Sequence, residues 1–314
     1  LDSQIALGLT RILHALPHLR IAHLSDPHLP PPDARLGWRD IASKRLLSRI
    51  AWRRKRRRHR PEVLAGLVAD LRAQAPDHVV LTGDLTNFAT AEEFAAARTW
   101  LEGIGSAGAV TVSPGNHDAL VRSRGDDPFG AWADWLGDDP AEAFPKVRVR
   151  GEVALINLCS AVPTALHLAQ GRLGAAQIAR LAEVLREQGE AGRFRLVLVH
   201  HPVAEGAVSG RKALTDAAAL RAVLAREGAE LVLHGHAHEA LVTRVPGPAG
   251  AIPVLGVPSA SAAADGHGEP ARWHGLEIAR AGDGFEIGVT ARGLTADGAF
   301  GELGRYRLTS PGRR

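Results

Sequence analysis

The stretch from Glu230 to His238 reads ELVLHGHAH, an apolar run followed at once by a cluster of histidines. Four more apolar runs end in the same way, in short clusters of Asp, Asn, His and Gly. The runs are Leu19 to Leu24, His78 to Leu81, Ala109 to Val112 and Phe194 to Val199, and the clusters are Asp26-Pro27-His28, Gly83-Asp84, Gly115-Asn116-His117-Asp118 and His200-His201-Pro202. Apolar runs that alternate with helical stretches predict a largely parallel sheet covered on both faces.

These polar clusters are expected to meet at one edge of the sheet, because open parallel sheets bind ligands beyond the carboxyl ends of their strands. Their carboxylate, imidazole and amide groups are the ligands of a hard or borderline divalent metal. Asp26 and His28 are two residues apart, as are His236 and His238. In extended backbone such residues point the same way, about 6–7 Å apart, so both can approach one metal centre. Three glycines are predicted to let the backbone bend sharply at the strand ends: Gly83, Gly115 and Gly235.

A single cluster of this kind is better explained by a turn histidine or a helix-capping aspartate than by a metal site. Five clusters, each at a predicted strand end, favour a common site. Their order, D-x-H, G-D, G-N-H-D, H and G-H-x-H, resembles that of the calcineurin-like metallophosphoesterases, with no ligand position substituted. The resemblance extends from Leu19 to Ser261. It looks closest to the bacterial cyclic-nucleotide and glycerophosphodiester phosphodiesterases, because of the run from Gly83 to Asn87 and of His200-His201-Pro202.

The resemblance implies an α/β fold, a four-layer α/β/β/α sandwich of two mixed sheets flanked by helices. It also implies two divalent metal ions, which can be Mn, Fe or Zn. The implied ligands are Asp26, His28 and His238 for the first ion, Asn116, His200 and His236 for the second, and Asp84 as the bridge between them. Two such ions and two carboxylates leave a positive charge that attracts a phosphate, and a hydroxide held between the ions would attack phosphorus.

Four residues are expected to contact the substrate: His117, Asn116, His201 and Asn87. With Asp84 and Asn116, His117 completes the expected catalytic set, where it would stabilise the transition state or protonate the leaving oxygen. Asp118 either orients His117 or caps a helix. His201 has an alternative role as a hydrogen-bond partner of a metal ligand, and His23 and His234 are expected to be structural.

Composition favours a soluble globular protein of 314 residues with 45% hydrophobic and 23% charged residues. We expect one domain over residues 1–314, with an N-terminal amphipathic extension (1–18), a basic helical insertion (33–60) and a C-terminal tail (293–314). No apolar run approaches the ~20 residues that span a bilayer. The single cysteine, Cys159, lies in an apolar run, which indicates a buried reduced thiol and a cytoplasmic location; peripheral attachment to the inner membrane is left open.

The basic segment between Arg39 and Arg60 carries 11 Lys or Arg and one acid, whereas the rest of the chain has 27 basic and 33 acidic residues. Apolar residues within it, from Ile41 to Trp52, have helical spacing. The segment can be a solvated helix face that meets the acidic body. It can dock on an anionic membrane, at about 1 kcal/mol for each Lys or Arg, with Trp52 as an interfacial anchor. Nucleic-acid binding is disfavoured, since Trp52 is the only aromatic residue available for stacking.

The leading functional hypothesis is a dinuclear metal-dependent phosphodiesterase. The alternative is a membrane-surface hydrolase of a lipid-linked phosphate or pyrophosphate, such as UDP-diacylglucosamine. A non-catalytic module that holds nucleic acid is the third, and the complete ligand set argues against it. The oligomeric state is left open.

Overall fold

Two six-stranded sheets form the centre of the protein in a computed structural model that describes residues 19–32, 44–121, 129–266, 268–282 and 284–310. The first sheet contains β1 (Leu19–Leu24), β2 (His78–Leu81), β3 (Val110–Val112), β10 (Arg272–Ala281), β11 (Gly284–Leu294) and β12 (Phe300–Ser310). The second contains β4 (Lys146–Arg150), β5 (Val153–Asn157), β6 (Phe194–Leu198), β7 (Leu231–His234), β8 (Leu241–Val245) and β9 (Ile252–Gly256).

Both sheets are mixed, and their parallel strands carry the polar clusters. The first has the order β12-β11-β10-β1-β2-β3, in which β1, β2 and β3 are parallel and the other neighbours are antiparallel. The second has the order β4-β5-β6-β7-β9-β8, in which β5, β6, β7 and β9 are parallel and β4 and β8 are antiparallel edges. The prediction that the clusters follow parallel strands is therefore confirmed.

Six α-helices accompany the sheets in the described residues. They are α1 (Lys44–Lys55), α2 (Pro61–Ala73), α3 (Ala91–Ile104), α4 (Ala133–Leu136), α5 (Ala175–Glu190) and α6 (Ala217–Glu227). Thr90 with Glu93 three residues on is a sequence pattern that predicts a capping box. Helix α3 begins with this box, since Thr90 Oγ1 accepts from the Glu93 amide and the Glu93 carboxylate accepts from the Thr90 amide.

Three apolar layers explain the stacking order. Leu155 and Leu196 of the second sheet pack with Ile21 of the first to fill the space between the sheets. Helices α2 and α3 cover the outer face of the first sheet, where Leu67 and Leu101 are fully buried, and α5 and α6 cover the second. The central strands of both sheets are thus buried on both faces, and the predicted four-layer α/β/β/α sandwich is confirmed.

Three of the predicted segment assignments need comment. Residues 1–18, the expected amphipathic extension, lie outside the described residues, as do residues 33–43 of the basic segment. Within the predicted C-terminal tail (293–314), residues Phe300–Ser310 form β12, which pairs along β11 and buries Leu308, and residues 311–314 lie outside the described part of the chain. Its apolar residues are separated by Gly, Arg and Glu, so the alternating pattern of a strand is weak. The expectation of a single domain stays a prediction.

None of the helices in the described residues is long and apolar enough to cross a membrane.

Candidate metal centre

The polar clusters converge in one pocket where the parallel strands of the two sheets end. One side of this pocket, called here the first half, contains Asp26, His28 and His238. His238 Nε2 lies 3.0 Å from Asp26 Oδ1, and His28 Nε2 lies 3.4 Å from His238 Nε2 and 4.0 Å from Asp26 Oδ1. Residues separated by 210 positions along the chain are therefore side by side.

The other side, the second half, contains Asn116, His200 and His236. His200 Nε2 lies 3.1 Å from Asn116 Oδ1 and 3.5 Å from Asp84 Oδ2. Asp84 Oδ2 also lies 3.9 Å from His28 Nε2, so one carboxylate faces both halves. Ligand atoms of Asp84, His200 and His236 lie within 4.8 Å of one another, and the same holds for Asp26, His28 and Asp84.

Backbone strain is concentrated at these positions. Among the described residues, seven non-glycine residues have positive φ, and five of them are the expected ligands: Asp26 (51°), His28 (42°), Asp84 (58°), His236 (66°) and His238 (58°). Residues with side chains adopt this left-handed region rarely, and such strain clusters at functional sites. This backbone corrects the sequence-based geometry, because the D-x-H and H-x-H pairs are left-handed rather than extended.

The glycines of the clusters mainly allow the backbone to pass close to neighbouring side chains. Only Gly83 of the three has positive φ, at 104°. A Cβ at Gly235 would collide with the Ser25 hydroxyl and the Asp26 carboxylate, and a Cβ at Gly115 would collide with the Asp84 carboxylate. The absence of a side chain therefore lets strand-end backbone touch both pocket carboxylates.

Electrostatics keep the two carboxylates ionised. Burial alone would raise the pKa of Asp26, but the imidazoles of His238, His200 and His28 lower it well below its usual range. The pKa of Asp84 is also lowered, since His200 and His117 outweigh burial. Burial opposes protonation of His200, yet the carboxylates of Asp84 and Asp26 raise its pKa to about 9. A field that favours a positive charge on a fully buried ring would equally favour a bound cation.

Two other pocket imidazoles, those of His28 and His236, are held neutral. Burial and neighbouring histidines lower the pKa of His28 and of His236 well below the ordinary value. Neutral imidazole and ionised carboxylate are the forms that bind metals.

The orientation of the histidines in the second half also fits a metal. The Nδ1–H of His200 donates to the Thr82 carbonyl at 2.6 Å, and the Nε2–H of His236 donates to the Lys212 carbonyl at 3.0 Å. A metal-binding histidine usually donates its other ring N–H in this way. The donor set of nitrogen and oxygen atoms suits Mn, Fe or Zn ions and does not separate them.

His117 lies at the same pocket, with its ring 5.1 Å from that of His28. Its backbone N–H donates to Asp84 Oδ1 at 2.7 Å, and its ring Nδ1–H donates to the Asn87 carbonyl at 3.0 Å. Asp118 does not orient this ring. Its carboxylate accepts from the amides of Asp84, Thr86 and Gly115, and so fixes the backbone that carries the bridging carboxylate.

Two expected substrate contacts are placed behind the pocket instead. His201 is fully buried, and its ring nitrogens bond Ser160 Oγ at 2.7 Å and the Ala169 carbonyl at 3.2 Å. The side chain of Asn87 is also buried and donates to the Leu29 carbonyl at 2.7 Å. His201 packs with its ring 4.4 Å from that of His236, but its ring nitrogens bond Ser160 and Ala169, so it neighbours an expected ligand without being the hydrogen-bond partner of that ligand. His23 and His234 are buried within strands, as expected.

One histidine of the pocket is missing from the sequence-based set. His59 follows α1 at the end of the basic segment, and its ring lies 4.4 Å from that of His28 and 5.6 Å from that of His238. Its ligand atom and those of His28 and His238 lie within 4.8 Å of one another. No apolar strand precedes His59 in the sequence, so the rule that located the other ligands does not apply to it.

The fold and this pocket define a metal-dependent phosphoester hydrolase. Residues 19–240 match the calcineurin-like phosphoesterase family, and the chain belongs to that family. It is similar to a probable cyclic nucleotide phosphodiesterase of Synechococcus sp., with 29% identity over 217 residues that cover 68% of this chain and 76% of the relative.

Solved structures agree on the fold. A dimetal phosphatase from Danio rerio has a TM-score of 0.58 at 13% identity, covering 94% of this chain and 99% of that one. A purple acid phosphatase, PPD1, from yellow lupin (Lupinus luteus) has a TM-score of 0.56 at 12% identity, covering 94% of this chain and 54% of that one. At such identities the likeness supports the metallophosphatase fold alone.

Proposed function

We propose that the protein is a dinuclear phosphodiesterase, with one divalent ion in each half of the pocket and Asp84 between them. The observation that carries the proposal is the position of Asp84 Oδ2, 3.5 Å from His200 Nε2 in one half and 3.9 Å from His28 Nε2 in the other. Asp26, His28 and His238 would hold the first ion, and Asn116, His200 and His236 the second. Bound there, the ions would polarise the phosphate and lower the pKa of the attacking water.

The chain's own groups would position the phosphoester and handle the proton of the leaving group. His117 is fixed from both sides, since its amide is bonded to Asp84 and its Nδ1–H to the Asn87 carbonyl. Because Nδ1–H is held by the Asn87 carbonyl, a second proton carried on Nε2 of the imidazolium form is the one that would pass to a substrate oxygen. We assign His117 the role of general acid for the leaving oxygen, while Asn116 would contact the phosphate beside it.

A diester is the favoured substrate class because the curated relative is described as a probable cyclic nucleotide phosphodiesterase. The pocket itself supports a negatively charged phosphate. The proposed ligands carry two carboxylates, and two divalent ions would leave a net positive charge that attracts the phosphate oxygens.

The alternative, hydrolysis of a lipid-linked phosphate or pyrophosphate at a membrane surface, has one supporting observation. Ile50 on α1 is 54% exposed, and Arg56, Arg57 and Arg60 nearby are exposed as well. Against it, Trp52 is half-buried and packs on His59 and Phe88, so it is not available as an interfacial anchor. Binding to vesicles containing anionic lipid would favour the alternative, and its absence would remove it.

The test compares bis(p-nitrophenyl) phosphate with p-nitrophenyl phosphate, in the presence of Mn²⁺ and after chelation. We expect faster cleavage of the diester and loss of both activities on chelation. Faster cleavage of the monoester would contradict the assignment of a diesterase, and activity that survives chelation would contradict the metal centre.

A further inference from the structure

His59 reaches the first half of the pocket from the end of the basic segment, whereas the other expected ligands of that half follow strands. It is 5% exposed and follows α1 directly before α2. Its ring centroid is 4.4 Å from that of His28, and a ligand atom of each of His28, His59 and His238 lies within 4.8 Å of the others. Such a spacing allows three imidazoles to share one ion.

Backbone hydrogen bonds fix His59 to the pocket wall. His59 forms an antiparallel bridge with Ala262, in which the amide of Ala263 donates to the Arg58 carbonyl at 2.8 Å and the amide of Arg60 donates to the Ser261 carbonyl at 2.9 Å. The same wall is joined to the strand end that carries Asp26, since Ser259 pairs with Ser25. The positions of His59 and Asp26 are therefore set by a common piece of backbone.

Two serine hydroxyls orient the ring. Nδ1 of His59 lies 2.9 Å from Ser261 Oγ and 3.3 Å from Ser259 Oγ. Ser259 Oγ also donates to the Asp26 carbonyl at 2.6 Å. When the Nδ1–H donates to Ser261, the neutral ring carries its lone pair on Nε2, which is the tautomer of a histidine that binds a metal through that atom.

Helix α1 holds the histidine from outside. Trp52 stacks on the His59 ring, with the planes 9° apart and the centroids 5.9 Å apart. The helix is in turn fastened at its start, where Arg45 donates to the carbonyls of Phe88 and Ala89 and Lys44 donates to the Leu168 carbonyl. The basic segment thus has a role at the pocket besides its charge.

We propose that His59 is an additional protein ligand of the ion in the first half, an inference that rests on the dinuclear function proposed above. The first half then offers three imidazoles and the carboxylates of Asp26 and Asp84. The second half offers two imidazoles, the Asn116 amide and Asp84. Imidazole suits Zn or Fe, so the additional imidazole should make the first half bind these metals more tightly than the second half does.

The experiment measures metal binding as well as activity. Full-length wild-type protein, His59→Ala and the control His78→Gln are stripped of metal and titrated with Zn²⁺ against a chromophoric chelator, and bound metal is counted by mass spectrometry. His78 is a suitable control because it is 1% exposed and bonded to Thr111 Oγ1, outside the pocket. We expect two ions in the wild type and in the control.

In His59→Ala we expect one of the two affinities to fall by at least about 10-fold, as loss of even an outer partner of a ligand costs about that much. His59→Gln, which keeps a polar side chain, is the second variant, and its Co²⁺ form should have a visible spectrum different from that of the wild type. Unchanged affinities together with an unchanged Co²⁺ spectrum would overturn the inference.

Metal binding and diester cleavage distinguish a failure of the phosphodiesterase proposal from a failure of the proposal that His59 is a ligand. If His59→Ala loses metal affinity while the wild type cleaves no diester, the function proposal is wrong and His59 remains a ligand. If all variants bind two ions as the wild type does and the wild type cleaves diesters, only the role of His59 is wrong.

Discussion

The two halves of the pocket differ in how the chain delivers their side chains. The second half is built only from residues that follow strands, Asn116 after β3, His200 after β6 and His236 after β7. The first half also receives His59, which follows a helix and is held by Ser261 across a β-bridge. Strand-end residues are located by the sheet itself, whereas a residue such as His59 is located by tertiary contacts.

This difference also gives the basic segment a structural role. Lys44 and Arg45 donate to backbone carbonyls, and Trp52 packs on His59 and Phe88. For these residues the solvated-face interpretation is too simple, because part of the segment is a wall of the pocket. Three arginines at the end of the segment are exposed and can attract an anionic substrate or surface electrostatically: Arg56, Arg57 and Arg60.

The largest effect is expected at Asp84, whose carboxylate lies near His200 in one half and His28 in the other. Asp84→Ala should abolish diester cleavage, by about 10³-fold or more, and should weaken both ions, because each loses a shared ligand. Assays with added Mn²⁺ and metal counting would measure this. As a control, Asp216→Ala removes a carboxylate that accepts from the amides of Leu173 and Gly174, and should leave metal content intact. Full activity in Asp84→Ala would refute the bridge.

His117 should separate catalysis from metal binding. His117→Gln should lower kcat by about 10² to 10⁴-fold on a substrate with a poor leaving group, the range for loss of a general acid. The loss should be much smaller with a p-nitrophenyl leaving group, which needs no proton, and both ions should remain bound. An equal loss on the two substrates would exclude the role of His117 as an acid.

His78, a buried histidine outside both halves of the pocket, shows how much a buried neutral imidazole contributes to the pH dependence of the free energy of unfolding. Burial, with Arg148 and Arg150 nearby, lowers the pKa of His78 to about 3 against the opposing effect of Asp138, and its Nε2 bonds Thr111 Oγ1. In the unfolded chain the pKa is about 6.5, so between these values the unfolded state binds more protons. His78 should therefore lower the free energy of unfolding by about 2 kcal/mol from pH 7 to pH 5.

Urea unfolding of metal-free wild type and His78→Gln at the two pH values would measure this contribution. The variant should have the smaller pH dependence. An identical pH dependence would show that His78 is already protonated in the folded protein or is not buried from solvent.

The smallest effect is expected from Ser261→Ala, which leaves the His59 ring in place and removes the hydroxyl on its Nδ1. Zinc affinity in the first half should fall by about 10-fold at most, with the second half unchanged. A loss of equal size in both halves would indicate a general disturbance of the pocket rather than a local one.

Much of this architecture could be predicted because it depends on local pattern. The runs before Asp26, Asp84 and His200 are buried strands, and the capping box at Thr90 forms as expected. These features follow from side-chain periodicity and from backbone hydrogen bonding within a few residues. The order of the clusters then implied the two-half pocket.

The remaining features depend on contacts that no short stretch encodes. In the sequence, His59 lies between Arg58 and Arg60 and resembles part of a charged helix end. In the structure, the bridge to Ala262 places it beside His28. The roles of His201 and Asn87 depend on carbonyls of distant loops, those of Ala169 and Leu29. Strand β12 was missed because its apolar residues are sparse, and its place is set by pairing with β11.

The central claim is that the pocket holds two ions, one on each side of Asp84. Anomalous diffraction from crystals soaked in Mn²⁺ tests it most directly. The account predicts two peaks, one within bonding distance of Asp26, His28 and His238 and the other of Asn116, His200 and His236, with the Asp84 carboxylate in contact with both. A single peak, or peaks away from Asp84, would contradict it.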